Sequence, residues 1–123
     1  MTLAITTMYR TALKSKIHRA TVTACDLDYV GSLTLDGDLL DAAHISEYEQ
    51  VQVVDLNNGA RFETYVIVGA SSSGQVQVNG AAARLVHRGD LIIVFSYALY
   101  SDDEFAGHTP EIILVDCHNR PIR

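Results

Sequence analysis

Gly31 and Ser32 are neighbours whose types and order could support covalent chemistry. A serine hydroxyl can attack the carbonyl that precedes it when the peptide is held strained and the tetrahedral oxyanion is stabilised, moving the acyl group from nitrogen to oxygen. Glycine leaves that carbonyl open. Elimination across the serine Cα–Cβ bond then expels the glycine as a carboxylate, and hydrolysis of the resulting dehydroalanine releases ammonia and leaves a pyruvoyl group. A chain can thus make its own carbonyl cofactor. Taken alone, a glycine beside a serine is most often a turn. Other chemistry is sparser. His18, His44, His87, His108 and His118 show no HxH, HExxH or Cys/His spacing, so no metal site is expected. Cys25 and Cys117 lie far apart without a CxxC and read as reduced thiols. There is no GxGxxG, P-loop or GxSxG.

Strands must hold these residues. Ile17 to Ala24 mixes β-branched and polar residues in rough alternation and predicts a strand with one wet face. Tyr29 to Leu35 predicts a second extended stretch, with Gly31 where the backbone could take an unusual conformation. Asp36-Gly37-Asp38 predicts a turn, with Asp38 capping a short helix over Leu39 to Ala43, and Val51 to Leu56 predicts a strand. Asn57-Asn58-Gly59 is a hairpin signal leading into Arg61 to Val68. Alternation there sets Arg61, Glu63 and Tyr65 on one face and Phe62, Thr64 and Val66 on the other. After a Ser71 to Gly74 loop, Gln75 to Val78 predicts a strand that passes through Asn79-Gly80 into a short alanine-rich helix. Leu91 to Tyr97 and Glu111 to Asp116 predict further strands, separated by a partly helical Ser101 to His108 segment. About six or seven short strands predict a mainly β domain, most simply a small closed barrel, because closure removes exposed edges.

Composition sets the outer limits. The chain has 123 residues, 48% hydrophobic and 20% charged, with a net charge of -6, which predicts one folded domain over residues 1–123 and excludes disorder. The longest apolar run, Leu91 to Tyr100, is broken by Ser96 and falls short of the ~20 residues that span a bilayer, so no membrane association is expected. The first apolar stretch precedes Arg10, Lys14, Lys16 and Arg19, the reverse of a secretory signal, so a cytoplasmic location is expected. No acid precedes Asp26, and residues 26 to 55 then hold eight acids without a lysine or arginine. The basic start could serve an anionic small-molecule site. A pI near 5.1 disfavours nucleic acid, whose phosphates such a surface repels.

Four separated blocks carry a closer signal: Lys16-Ile17-His18-Arg19, Asp26-Leu27-Asp28-Tyr29-Val30-Gly31-Ser32, Asn58-Gly59-Ala60-Arg61-Phe62-Glu63-Thr64-Tyr65 and Asn79-Gly80-Ala81-Ala82-Ala83. In this order the chain resembles the bacterial aspartate 1-decarboxylase family from about Tyr9 to beyond Asp116. The resemblance implies a double-psi β-barrel assembled as a homotetramer. It also implies that the chain cuts itself, alone or with a maturation helper protein, into residues 1–31 and 32–123. The implied reaction converts L-aspartate to β-alanine and carbon dioxide for pantothenate synthesis.

The same resemblance implies roles for individual residues. Ser32 would become a covalent pyruvoyl group that forms a Schiff base with the substrate amine, and Tyr65 would give the proton that quenches the carbanion. A phenol suits that task. Thr64 would stabilise the oxyanion of self-cleavage at Gly31-Ser32 and later contact substrate, as would Gly80, Ala81 and Ala82. Lys16 and Arg61 would hold the carboxylates, Arg61 with a bidentate grip and Lys16 as a point charge. His18, Tyr29 and Asn79 would support the site. The chain departs from some members by Met1 to Thr7 and by Val54, where an aromatic can occur. A non-catalytic barrel serving as a partner-binding module, or a swapped barrel that binds DNA, are the competing readings. Neither would need the Gly31-Ser32 and Thr64-Tyr65 pairs together.

Overall fold

The structure, a computed structural model, describes residues 6–122. In chain order it comprises β1 (Tyr9–Thr21), β2 (Ala24–Asp26), β3 (Ser32–Asp36), α1 (Gly37–Ala43), β4 (Gln50–Asp55), β5 (Arg61–Gly69) and β6 (Val76–Asn79). A 3₁₀ helix (Gly80–Arg84), β7 (Leu91–Ser101), α2 (Asp102–Ala106), β8 (Glu111–Val115) and β9 (Pro121–Ile122) complete it. Residues 1–5, most of the Met1 to Thr7 extension, lie outside the described residues. Among the described residues no helix is long and apolar enough to cross a membrane.

The chain is mainly β, with ladders in the order β2-β6-β3-β5-β4-β7-β1-β8-β9. This order begins and nearly ends on one stretch of chain. Only Val22 and Thr23 separate β1 from β2, and their backbones are bonded on both sides: Val22 N–H donates to Asp90, Val22 carbonyl accepts from Gly89, and Thr23 N–H donates to Val76. The β1-β2 run is thereby tied both to the 89–90 turn before β7 and to β6, and the mainly β chain is consistent with a small double-psi barrel. Parallel pairing of β3 with β5 and of β2 with β6 sits among antiparallel ladders, so the strands cross over rather than meander.

Alternation divides the wall into two faces. Ser15 and Ile17 of β1, Val51 and Val53 of β4, and Ile92 and Val94 of β7 are buried, while their sequence neighbours turn outward. Leu33, Leu35, Val66, Val76, Val78 and Leu39 of α1 complete the core.

β1 starts eight residues before the expected Ile17 because two bulges, at Leu13/Ser15 and His18/Ala20, shift the phase that alternation reads. The first bulge has a use. It frees Lys14 to reach Glu49 at 2.9 Å, and the same carboxylate accepts the Ser96 hydroxyl. Burial pushes Glu49 up, but the Ser96, Lys14 and Ser46 donors outweigh it and hold the carboxyl below its ordinary range. The cap of α1 also differs from expectation. Asp36 caps it, not Asp38, and this buried carboxylate accepts N–H groups of Asp38 (2.8 Å), Ser72 (3.0 Å) and Gly74 (2.8 Å).

The hairpin between β4 and β5 hangs on a buried acid. Asp55 accepts N–H groups of Asn57 at 2.7 Å and Asn58 at 3.3 Å through Oδ1, while its fully buried Oδ2 has no donor and faces Asp90. The two acids are pushed in opposite directions, Asp55 up and Asp90 down, as when a protonated carboxyl shares its proton with an ionised one. Burial and Asp90 push Asp55 up, and the bond from Asp55, with the His87 N–H at 3.0 Å, holds Asp90 down. A raised folded-state value means that stability is fully present below the unfolded carboxyl's range and is lost as pH rises through the folded one. Asp55→Asn keeps the Oδ1 acceptor and supplies a permanent donor to Asp90. The variant is expected to match wild type in urea unfolding near pH 4 and to exceed it by a margin that widens towards about pH 8. A margin that narrows as pH rises would contradict the shared proton.

Candidate active site

The Gly31-Ser32 peptide lies where β3 begins, between β6 and β5. Ser32 pairs with Asn79 of β6, and Leu33 pairs with both Val78 and Val66. Ser32 is buried, and its φ is +133°, a region that side chains with a Cβ rarely adopt. Backbone held there stores on the order of 1–3 kcal/mol. The scissile peptide of the sequence analysis thus carries strain on its serine side, in a strand whose five residues are all buried.

Two donors flank that peptide. The Tyr65 hydroxyl donates to the Gly31 carbonyl at 3.1 Å, and Asn79 Nδ2 donates to Ser32 Oγ at 3.4 Å and to Thr34 Oγ1 at 3.1 Å. Gln77 orients Asn79 by donating to its Oδ1 at 2.8 Å, and Gln75 donates to Gln77 at 3.3 Å. Period-two alternation explains this chain of amides, since Gln77 and Asn79 share one face of β6, which Gln75 just precedes, and Ser32 and Thr34 share one face of β3. Asn79 precedes the 3₁₀ helix but does not cap it with its side chain, which is turned to Ser32 instead.

The other expected residues divide between this place and the outer wall. Gly80 backs directly onto Gly31, with Tyr29 carbonyl beside it. Ala81 is exposed at the helix start and Ala82 packs on the core. Thr64 lies on the inner face of β5 opposite Val51, and among the described residues its hydroxyl has no hydrogen-bond partner; the hydroxyl that reaches the Gly31 carbonyl is Tyr65's. Arg61 is on the outer face, its Nη1 donating at 2.9 Å to Gln52, which also accepts the Tyr97 hydroxyl at 3.2 Å. Gln52 was not among the expected residues. Lys16 and His18 sit on β1, where Lys16 aligns with Phe95, Gln52 and Glu63 across the sheet, and His18 with Ile93, Val54 and Arg61. Three strand spacings, roughly 14 Å along the sheet, separate the backbones of β1 and β5. Among the described residues neither Lys16, His18 nor Arg61 bonds to the 31–32 segment.

His18 Nδ1 is buried without a partner, and burial, then Lys16 and Arg19, hold its pKa below the ordinary histidine value, which keeps the ring neutral near pH 7. Among the described residues no three His, Cys, Asp or Glu gather as metal ligands.

A strained Gly-Ser peptide flanked by a phenol and an amide has the groups that acyl transfer within a chain would use. Comparison with known proteins places the chain in a family. The model of the aspartate decarboxylase family matches residues 8–122. The chain is also 58% identical over 115 residues to the aspartate 1-decarboxylase of Acetivibrio thermocellus, covering 94% of this chain and 91% of that protein. The chain belongs to the aspartate decarboxylase family.

The Asn79 contact generates a test. A hydrogen bond is worth about 0.5–1.5 kcal/mol net, so Asn79→Ala is expected to slow cleavage at Gly31-Ser32 by about twofold to tenfold, followed as loss of full-length chain by mass spectrometry. Unchanged kinetics would remove Asn79 from the processing site.

Proposed function

We propose that this protein is an aspartate 1-decarboxylase that cuts itself between Gly31 and Ser32 and converts L-aspartate to β-alanine and carbon dioxide. The observation that carries the reading is the +133° φ of Ser32 in a peptide whose carbonyl accepts the Tyr65 hydroxyl. Ser32 Oγ attacks the Gly31 carbonyl carbon, the bond from that carbon to Ser32 nitrogen breaks, and the hydroxyl proton ends on the nitrogen. Loss of the Ser32 Cα proton and cleavage of Cβ–O release Gly31 as a carboxylate. One water then replaces the nitrogen, which leaves as ammonia. No oxidant is needed, and residue 32 ends as the pyruvoyl group. A barrel kept only for partner binding has no use for this strain.

The pyruvoyl carbonyl supplies an electron sink for the carbon–carboxylate bond that breaks. The rest falls to side chains. Tyr65 loses its carbonyl partner when residue 31 is released, which leaves a phenol proton beside residue 32 for the developing carbanion. Arg61 has only Nη1 committed to Gln52, so its remaining N–H groups can grip a carboxylate. Lys16 has the charge for the second carboxylate, but from β1 of the same chain it lies across β7 and β4. A neighbouring copy brings it within reach. The outer wall that carries Lys16, Arg61 and Tyr65 also exposes Tyr97, Leu99, Ile112 and Leu114, and a groove of about 320 Å³ opens there beside Gln50, Gln52 and Glu63. We read this wall as the contact of a homotetramer with shared sites.

The test of processing is the mass of the denatured protein. It is expected to separate into residues 1–31 and 32–123, the larger lacking a free amino terminus, while Ser32→Ala stays whole and forms no β-alanine from aspartate. Only full-length chain after long incubation, with or without host extract, would sink the processing claim.

Shared sites have their own signature. Light scattering should give about four protomers, and co-assembly of two inactive chains, Lys16→Ala and Ser32→Ala, should restore decarboxylation, because some sites then pair an intact Lys16 with a processed residue 32. An active protomer-sized species, or mixed assemblies without activity, would contradict shared sites.

A further inference from the structure

We propose that Gly80 is a positioning residue for self-cleavage: its missing side chain lets its backbone seat Gly31, and this contact fixes the strained Gly31-Ser32 peptide. The inference rests on the self-cleavage reading above and goes beyond it by assigning the source of the strain. Gly80 has a φ of +66°, and a methyl added to it would lie 2.8 Å from Gly31 Cα, 3.2 Å from Gly31 nitrogen and 3.4 Å from Tyr29 oxygen. All three are backbone atoms, which cannot swing aside as the end of a long side chain can. A methyl added to Gly31 meets nothing within 4 Å. Of the two glycines in contact, packing therefore requires Gly80 and not the residue that is cut.

The consequence follows from where Gly80 stands. Asn79 holds Ser32 through the β3-β6 ladder and through its side chain, and the next residue, Gly80, holds Gly31. One dipeptide thus fixes the chain on both sides of the scissile bond. With Gly31 and Ser32 each anchored, the turn between them is taken up at Ser32, whose φ is +133°. The acyl shift frees that residue, because Ser32 nitrogen leaves the peptide plane as an amine while Oγ takes the acyl group. Strain that is released on the way to the ester lowers the barrier to forming it.

Gly59 provides the control. It has a similar φ of +76°, and an added methyl there meets nothing within 4 Å. Gly59→Ala therefore carries the cost of alanine in a left-handed conformation without touching the cut. The experiment follows loss of freshly made full-length chain for wild type, Gly80→Ala and Gly59→Ala, with hydroxylamine added in parallel to trap the ester. Gly80→Ala is expected to slow cleavage about tenfold or more and to show less trapped ester, with Gly59→Ala within about twofold of wild type. Each substitution is also made in a Ser32→Ala chain, which does not cut itself, and both double variants are expected to unfold cooperatively with a wild-type circular dichroism spectrum. Wild-type cleavage in Gly80→Ala overturns the proposal. Equal slowing in Gly59→Ala overturns it too, as does a Gly80→Ala/Ser32→Ala chain that fails to fold, since Gly80 would then serve folding. A wild-type chain that stays whole defeats the self-cleavage reading itself and with it this assignment.

Discussion

The backbone of Ser32, held at a φ of +133° at the start of β3, is the constraint around which this molecule is arranged. A residue with a Cβ persists there only where its surroundings over-determine it. Here they do so from three sides. The β6 ladder fixes Ser32, the β5 strand lies parallel to β3 so that Tyr65 meets the Gly31 carbonyl, and Gly80 closes against Gly31. None of these contacts is local in sequence: Tyr65 lies 34 residues and Asn79 lies 47 residues from the groups they hold. The fold brings them together, and it places the strain at the peptide where the proposed cleavage would release it.

That arrangement needs a rigid wall, whose core face is apolar and several of whose buried polar groups are tied to distant segments. Asp36 ties the α1 turn to the 72–74 loop with three backbone donors, and Asn119 ties Thr21 to Gly74 through its amide. Glu49 gathers Lys14, Ser96 and Ser46 at the bulge of β1. Among the described residues Ser15 Oγ, His18 Nδ1 and Asp55 Oδ2 are buried without a partner, and Asp55 fixes the hairpin that delivers Arg61 through its other oxygen.

Placement also separates two groups of side chains. Groups that act on the peptide, Tyr65, Asn79 and Gly80, converge on residues 31 and 32 from β5, β6 and the 3₁₀ helix. Arg61 and Lys16, whose charges suit carboxylates, lie on the outer wall, on strands that β7 and β4 separate. In the proposed function the first group serves processing within one protomer and the second serves substrate binding between protomers. Tyr65 is the residue common to both, being on the outer face of β5 and also at the Gly31 carbonyl.

Much of this was legible in the residues alone. Alternation in Arg61 to Val68 and Leu91 to Tyr97, the Asn57-Asn58-Gly59 turn and the Gly31-Ser32 pair all depend on near neighbours, and strand periodicity and turn chemistry are properties of near neighbours. The four blocks also carried the resemblance to the family, to which the chain belongs, because each is a run of near neighbours. Phase was lost in β1, where bulges interrupt a rule that counts by twos, and the α1 cap went to Asp36 because the Ser72 and Gly74 donors that hold it there come from a distant loop. Only the tertiary structure could place the Tyr65 hydroxyl on the Gly31 carbonyl, give Arg61 a partner in Gln52, leave Lys16 across two strands from β5, and set Gly80 against Gly31. These are contacts between segments brought together by strand order, and strand order is decided by the packing of the whole core, which no local pattern records.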